Sequence, residues 1–332
     1  MRRTAITVRN DGPALLAALA CVLALLLAEP GRAADVPPYQ AVVPLQGNAE
    51  ADRQASFAAA LRAAAVRASG QRDAATNAAI AQAAADPSGY VQQYGTTSGR
   101  MLKVGFDAQA MEQLLTRAGL TLWPAERPQT LVLLAAPSAG GGSRVIIAGD
   151  ASSERGEIER AAQYRGLPLS WPRMAVDVDR ARTQLLSGDV DAVAAAASAD
   201  GARAVLVGVA GGGGVEWVFG HAGRTTRAQG SLQVGVDLAA DTLADRYAPA
   251  STRGVSTLGI RVGGIGGVRS YAALLEYLHS LSPVKQVAVA QLAEGVVSLE
   301  VTMRGDLEQL RRIAALDGRL QPASGTDFVF QP

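Results

Sequence analysis

Reactive side chains are scarce in this sequence. Among 332 residues there is one cysteine, Cys21, and two histidines, His221 and His279. A lone thiol excludes an internal disulfide and any metal site built from several cysteines. Two imidazoles leave little for zinc ligation or general acid–base work. Lysine occurs only at Lys103 and Lys285, so nearly all of the positive charge is arginine. With 31 basic and 30 acidic residues the formal net charge is +1, which exerts no general pull toward nucleic acid or an anionic membrane. The nucleophile elbow Gly-x-Ser-x-Gly is missing, and so is an EF-hand loop. Hydrophobic residues, by contrast, make up 48% of the chain, enough for well-filled cores. The length suggests two or three compact units.

The first residues have the form of a secretory signal. Arg2 and Arg3 precede an apolar run over residues 13–28, and the small-residue stretch Gly31-Arg32-Ala33-Ala34 follows. The run is short for a bilayer span, and cleavage is expected near Ala33 or Ala34, with a retained N-terminal anchor as the alternative. Cys21 lies inside the run, not at its end as a lipidated cysteine would, and reads as filler. No later segment is long and apolar enough to span a membrane. A periplasmic location is the expectation.

Residues 35–123 read as an α+β domain. Its first helix carries Phe57, Leu61, Ala64, Ala65 and Ala68 on one face, with Asn48 as N-cap and Gly70 as its stop. Residues 124–250 read as a second α/β domain of strands, a hairpin around Gly140-Gly141-Gly142, a second hairpin over Gly211 to Gly214, and a long helix ending before Pro249. Residues 251–332 read as a third. Ser270 caps a helix, and Val297, Leu299, Val301 and Met303 alternate as a half-buried strand. Asp306 with Gln309 resembles a capping box. The order β-α-β-β-α-β, closed by Leu320 or by Phe328–Phe330, is the ferredoxin-like plan, a fold shared by many unrelated activities.

Several segments carry a family likeness. They are Val43-Pro44-Leu45, Ala51-Asp52-Arg53-Gln54-Ala55-Ser56-Phe57, Tyr90-Val91-Gln92-Gln93-Tyr94, Leu102-Lys103-Val104-Gly105-Phe106-Asp107, Trp123, and Arg127-Pro128-Gln129-Thr130-Leu131-Val132. Together they resemble the exported proteobacterial domain-of-unknown-function-2066 family, over most of the chain after the leader. The resemblance implies an exported protein and assigns no catalytic residue. At fold level the middle region, through the run from Ala204 to Tyr247, looks like the TolB N-terminal and curli-secretion-lipoprotein type of α/β domain.

Each remaining motif has a plain structural explanation. The glycine runs read as turns, because the first two join strand to strand and Gly263-Gly264-Ile265-Gly266-Gly267 lacks both a P-loop lysine and dinucleotide spacing. Asp177/Asp179 and Asp189/Asp191 suit helix capping better than calcium. Asp237, Asp241 and Asp245 recur every four residues and read as a solvated helix face. His221 is placed in a turn and His279 near a helix end. Trp171, Trp217 and Phe219 read as core anchors, with an exposed recognition patch as the alternative. Arg224 and Arg227 could meet an acidic partner or a lipid headgroup, although scattered surface arginines more often do nothing specific. No catalytic, cofactor-binding or metal residue is assigned and no cofactor is expected. The functional expectation is a non-enzymatic envelope adaptor or scaffold whose partner is another cell-envelope protein, with no nucleic acid and no membrane span after leader cleavage. The alternatives are a periplasmic hydrolase using His221, and a glycan- or small-ligand-binding module using Trp171 or Trp217.

Overall fold

The computed structural model describes residues 38–331, apart from 48, 98, 139, 198–201, 249–253 and 294. The leader with Cys21, the expected cap Asn48 and the expected break at Pro249 lie outside the described residues.

Alanine sets the first part of the architecture. Helix α1 (Glu50–Ser69) buries nearly everything from Ser56 to its end, beyond the single stripe its periodicity predicts. One face lies on an antiparallel sheet in the order β1 (Gln40–Pro44), β3 (Met101–Phe106), β2 (Val91–Thr97). Another meets α2 (Ala78–Ala85), and its C-terminal end meets α4 (Ser153–Arg165) of the middle region. Small side chains permit such close approach on several sides, as dense core packing requires. Ala49 is the N-cap residue of α1, and Asp52 Oδ2 accepts its N–H at 3.2 Å. Asn77 caps α2, and Asp107 caps α3 (Ala108–Arg117), accepting from Ala110 N–H at 2.7 Å.

The middle sheet runs β5 (Ser143–Val145), β4 (Thr130–Pro137), β7 (Ala204–Gly211), β8 (Gly214–His221), β9 (Arg224–Gly230), with the two-residue β6 (Leu169–Ser170) also on β4. β4 is parallel to β6 and β7, whereas β8 and β9 are hairpin partners. Helices cover both faces. Val132, Leu134, Leu206, Trp217 and Phe219 point to the side of α4 (Ser153–Arg165) and α7 (Leu232–Tyr247). Leu131, Leu133, Val205 and Val207 point to that of α5 (Val178–Leu186) and α6 (Val190–Ala197). That is why β4 reads as one unbroken apolar run. Helix α5 was not foreseen, since Val178, Ala181 and Leu185 are a thin stripe between charged residues. Trp217 occupies a slot floored by two glycines: a Cβ on Gly208 would lie 2.3 Å from its ring, and one on Gly235 of α7 2.4 Å.

The third sheet runs β11 (Val284–Ala293), β12 (Val296–Arg304), β10 (Val255–Gly263), β14 (Asp327–Phe330), β13 (Leu320–Pro322). Val297, Leu299, Val301 and Met303 are buried with residues of α8 (Val268–Ser280) and α9 (Leu307–Ala314). Up to α9 the element order is the expected one. Its end departs: both candidate strands form, as a hairpin, and β14 sits beside β10 and parallel to it. Ser270 is not the cap of α8. The helix begins at Val268 after Gly267, and the Ser270 hydroxyl accepts the Gly267 N–H at 3.1 Å from within the first turn. Asp306 does cap α9, accepting from Gln309 N–H at 2.9 Å. The whole is α+β, and residues Val36–Pro332 form one unit.

Candidate functional site

The polar side chains that chemistry would need converge on joints between the sheets. Helix α1 ends inside the protein, and its last carbonyls, which no helical N–H can reach, must find other donors. The Val66 carbonyl takes the Gly70 N–H at 2.9 Å and that of Ala68 the Trp123 N–H at 2.8 Å. The Ser69 carbonyl accepts from the Thr121 hydroxyl at 3.1 Å, that of Arg67 from Arg127 Nη2 at 2.8 Å, and that of Gly70 from Arg165 Nη2 at 2.9 Å. Helix α4 ends alongside and is served in return. Arg67 donates to the Gln163 carbonyl, and Arg127 Nη1 to that of Gly166 at 2.6 Å. Guanidinium groups suit this place because helix C-termini carry partial negative charge. Arg127 also stacks on Trp123, 3.9 Å from the ring centroid. Burial pushes the Arg67 pKa down to about 10, still protonated at neutral pH. Gly70 and Gly166 both have positive φ, and a side chain on either would collide: with Ala244 and Trp123 at the first, with Arg127 and Arg67 at the second.

Arg165 is 0% exposed and needs compensation for its charge. Asp237 and Asp241 of α7 supply it: Arg165 Nη1 meets Asp237 Oδ1, and Nη2 meets Asp241 Oδ1 at 2.6 Å. Arg72 closes the other side of Asp241 at 3.0 Å. This corrects the expectation of a solvated aspartate face. Asp237 and Asp241 receive a buried arginine, and only Asp245 is exposed. Spacing of four along α7 was the visible signal, and arginine just before the stop glycines of α1 and α4 was the other. Neither names its partner without the fold.

His221 is the last residue of β8, not a turn residue, and is 6% exposed. Its Nδ1 lies 2.7 Å from the Arg203 carbonyl oxygen, which can only accept, so Nδ1 carries the proton. Nε2 then accepts from the Tyr247 hydroxyl at 2.9 Å. Both nitrogens of a neutral imidazole are thereby used. Burial lowers the His221 pKa and outweighs the opposing hydrogen bond to Arg203; Arg246 lowers it further, while Asp191 raises it. The Tyr247 carbonyl accepts from Gln309 Nε2 at 3.3 Å, and the Arg246 carbonyl from Arg312 Nη1 at 2.7 Å, which ties α7 to α9. A second contact set lies nearer the surface. Glu112 of α3 meets Arg304 at 3.0 Å and Lys285 at 3.3 Å, and Glu126 accepts from the N–H and hydroxyl of Ser282, both at 2.7 Å.

A model described as a domain of unknown function (DUF8605) matches residues 35–124. That is the first sheet with its helices, ending at Pro124 next to the Trp123 of the joint. The match differs from the expected domain-of-unknown-function-2066 family, which it corrects, and nothing supports the TolB-like likeness of the middle region. No curated protein and no solved structure matches the chain.

The other residues singled out from sequence lie apart. Asp177 caps α5 at 2.9 Å, and Asp189 accepts from Ala192 N–H at 3.4 Å at the start of α6; Asp179 and Asp191 are exposed beside them. Trp171 and Trp217 are buried, with their indole N–H groups donating to Glu159 at 3.1 Å and to the Ser231 carbonyl at 3.0 Å. Phe219 is buried as well, so these three rings form no exposed patch. Arg224 and Arg227 are exposed on β9, at the sheet edge, and His279 is exposed near the end of α8. The glycine run before α8 is a loop, and the runs at 140–142 and 211–214 are hairpin turns. Among the described residues, no group of three or more His, Cys, Asp or Glu side chains is placed to hold a metal ion, and no helix is long and apolar enough to cross a membrane.

Proposed function

We propose that this protein is an exported cell-envelope adaptor or scaffold with no catalysis of its own, acting in the periplasm on another envelope protein. One observation carries the reading: the side chains best suited to chemistry are consumed in holding the sheets together. His221 has both nitrogens engaged, Asp237 and Asp241 neutralise Arg165, and Arg67 and Arg127 serve helix ends. A scaffold needs such fixed geometry, whereas an enzyme keeps its titratable groups facing a substrate. The signal-like leader points to export. A hydrolase built on His221 would first have to break the bonds to Arg203 and Tyr247, and a glycan site built on Trp171 and Trp217 would have to unbury both.

Affinity capture of the tagged full chain from cross-linked envelopes of its native host tests the proposal. A reproducible envelope partner is expected, recovered equally by a His279→Ala variant. A chain that captures nothing above the untagged control, or that turns over a hydrolase or glycan substrate when purified, overturns it.

A further inference from the structure

We propose that the free edge of the third sheet is a homodimer interface, with β11 pairing antiparallel to β11 of a second copy. The inference does not depend on the adaptor role.

An exposed strand edge is a hazard that proteins ordinarily guard with charge, proline or shortness. Most of the other edges among the described strands show such guards. β13 has three residues and ends at Pro322, β5 has three and includes Arg144, β1 ends at Pro44, and β9 presents Arg224 and Arg227. β11 is ten residues long, and from Gln286 to Ala293 it has neither a charge nor a proline. Its only charged residue, Lys285, is occupied by Glu112. β2 is also uncharged, but it is polar, with Val91 its one aliphatic side chain.

What distinguishes β11 is an unfinished core. Directly paired residues share a face of the sheet. Val287 pairs with Val301, Val289 with Leu299 and Leu292 with Val297, and all three partners on β12 are buried on the helix side. The β11 row therefore points to the same side, yet it grows more exposed along the strand: Val287 is half-buried, Val289 is 46% exposed and Leu292 67%. The aliphatic layer beneath α8 thus runs to the edge and stops in the open. A second β11 would continue it. An antiparallel two-fold arrangement sets like against like, which a charged edge would resist and this neutral one allows. Main-chain bonds would join the sheets, and the two Val289–Leu292 rows would cover each other. Register shifts near Lys285 and Ala290 bend the strand and leave Val287, Val289 and Leu292 on one side.

Sedimentation velocity on protein purified from cells expressing the full chain, from micromolar to near-millimolar concentration, is the test. A reversible monomer–dimer equilibrium is expected. Val289→Lys places two like charges across the two-fold and should weaken dimerisation by about a hundredfold. Leu292→Glu, at a more exposed position, should do the same and serves if the first variant misfolds. Thr96→Lys on β2 should leave the dimer intact. A wild-type chain that stays monomeric throughout overturns the proposal, as does a dimer that survives both β11 variants or is lost in Thr96→Lys. Capture of an envelope partner would be unaffected by any of these results, so the two proposals fail separately.

Discussion

The two joints of this molecule hold by different physics. Where α1 and α4 end side by side, arginines are sealed among helix carbonyls and two aspartates, with Arg165 fully buried and Arg67 nearly so. Where the third sheet meets the rest, contacts at Glu112 and Glu126 lie near the surface, while the end of α7 against α9 is buried. A buried charge network contributes little net energy but cannot lose a member cheaply, because the remaining charges stay desolvated. A surface pair is replaced by water at small cost and is screened by salt. The first joint should fail abruptly, the second by degrees.

The largest effect is expected from Arg165→Met. It strands Asp237 and Asp241 with the exposed Arg72 and, at Asp237, the Gln233 amide as remaining partners, and leaves the Gly70 carbonyl without its donor. A loss of about 3–5 kcal/mol is the usual consequence of removing one partner from a buried pair. Urea unfolding should show a lower midpoint. Replacing Asp237 and Asp241 by asparagine in the same background should recover part of the loss, because it removes the stranded charges. An unchanged midpoint in Arg165→Met would mean that water reaches the joint and that the contrast between the joints is wrong.

That contrast also marks how far the sequence could be read. Elements with strong periodicity were legible: the stripe of α1, the alternation of β12, and Asp306 as a cap all appear in place. These are local signals, set by neighbours within a turn or along a strand. The aspartates of α7 were misread because their partner lies more than seventy residues away, and an i, i+4 pair looks alike whether it faces water or a buried arginine. His221 was placed in a turn because Gly220 and Gly223 flank it, yet pairing with Ala204 across the hairpin holds it in the strand. The closing strand of the third sheet stayed ambiguous for a related reason. Two apolar segments competed for one place, and only the pairing of β14 with β10 and of β13 with β14 shows that both are used.

An intermediate effect, dependent on pH, is expected at His221. Its pKa is lowered in the folded protein, mainly by burial. As pH falls below about 6.5, the unfolded chain takes up a proton that the folded chain refuses, so stability present above that value is lost. The slope approaches about 1.4 kcal/mol per pH unit for one proton until the folded histidine itself titrates. Protonation gives Nε2 a hydrogen and ends its acceptance from Tyr247, the residue whose carbonyl holds Gln309 of α9. Hydrogen exchange should therefore rise first at the end of α7 and in α9 when the wild type is acidified. His221→Gln should be less stable at neutral pH but should lose the slope near pH 6. A slope that persists in that variant would assign the effect to another group.

The smallest effect is expected at Glu112, in the second joint. Burial alone would raise its pKa, but Arg304 and Lys285 together outweigh burial and hold the carboxyl below its ordinary value. The stability it contributes is therefore present at neutral pH and lost only as pH falls below about 4.5 and through the folded value, a window well separated from that of His221. Glu112 is partly exposed and its partners more so, which keeps the expected cost of Glu112→Gln to about 1 kcal/mol or less. Salt should shrink the difference between variant and wild type, since screening weakens in the wild type the pairs that the variant lacks. The Arg165→Met deficit should respond less to salt, because the lost partner, Arg165, is fully buried and Asp237 is mostly so. If both deficits fell equally with salt, burial would not be what separates the two joints.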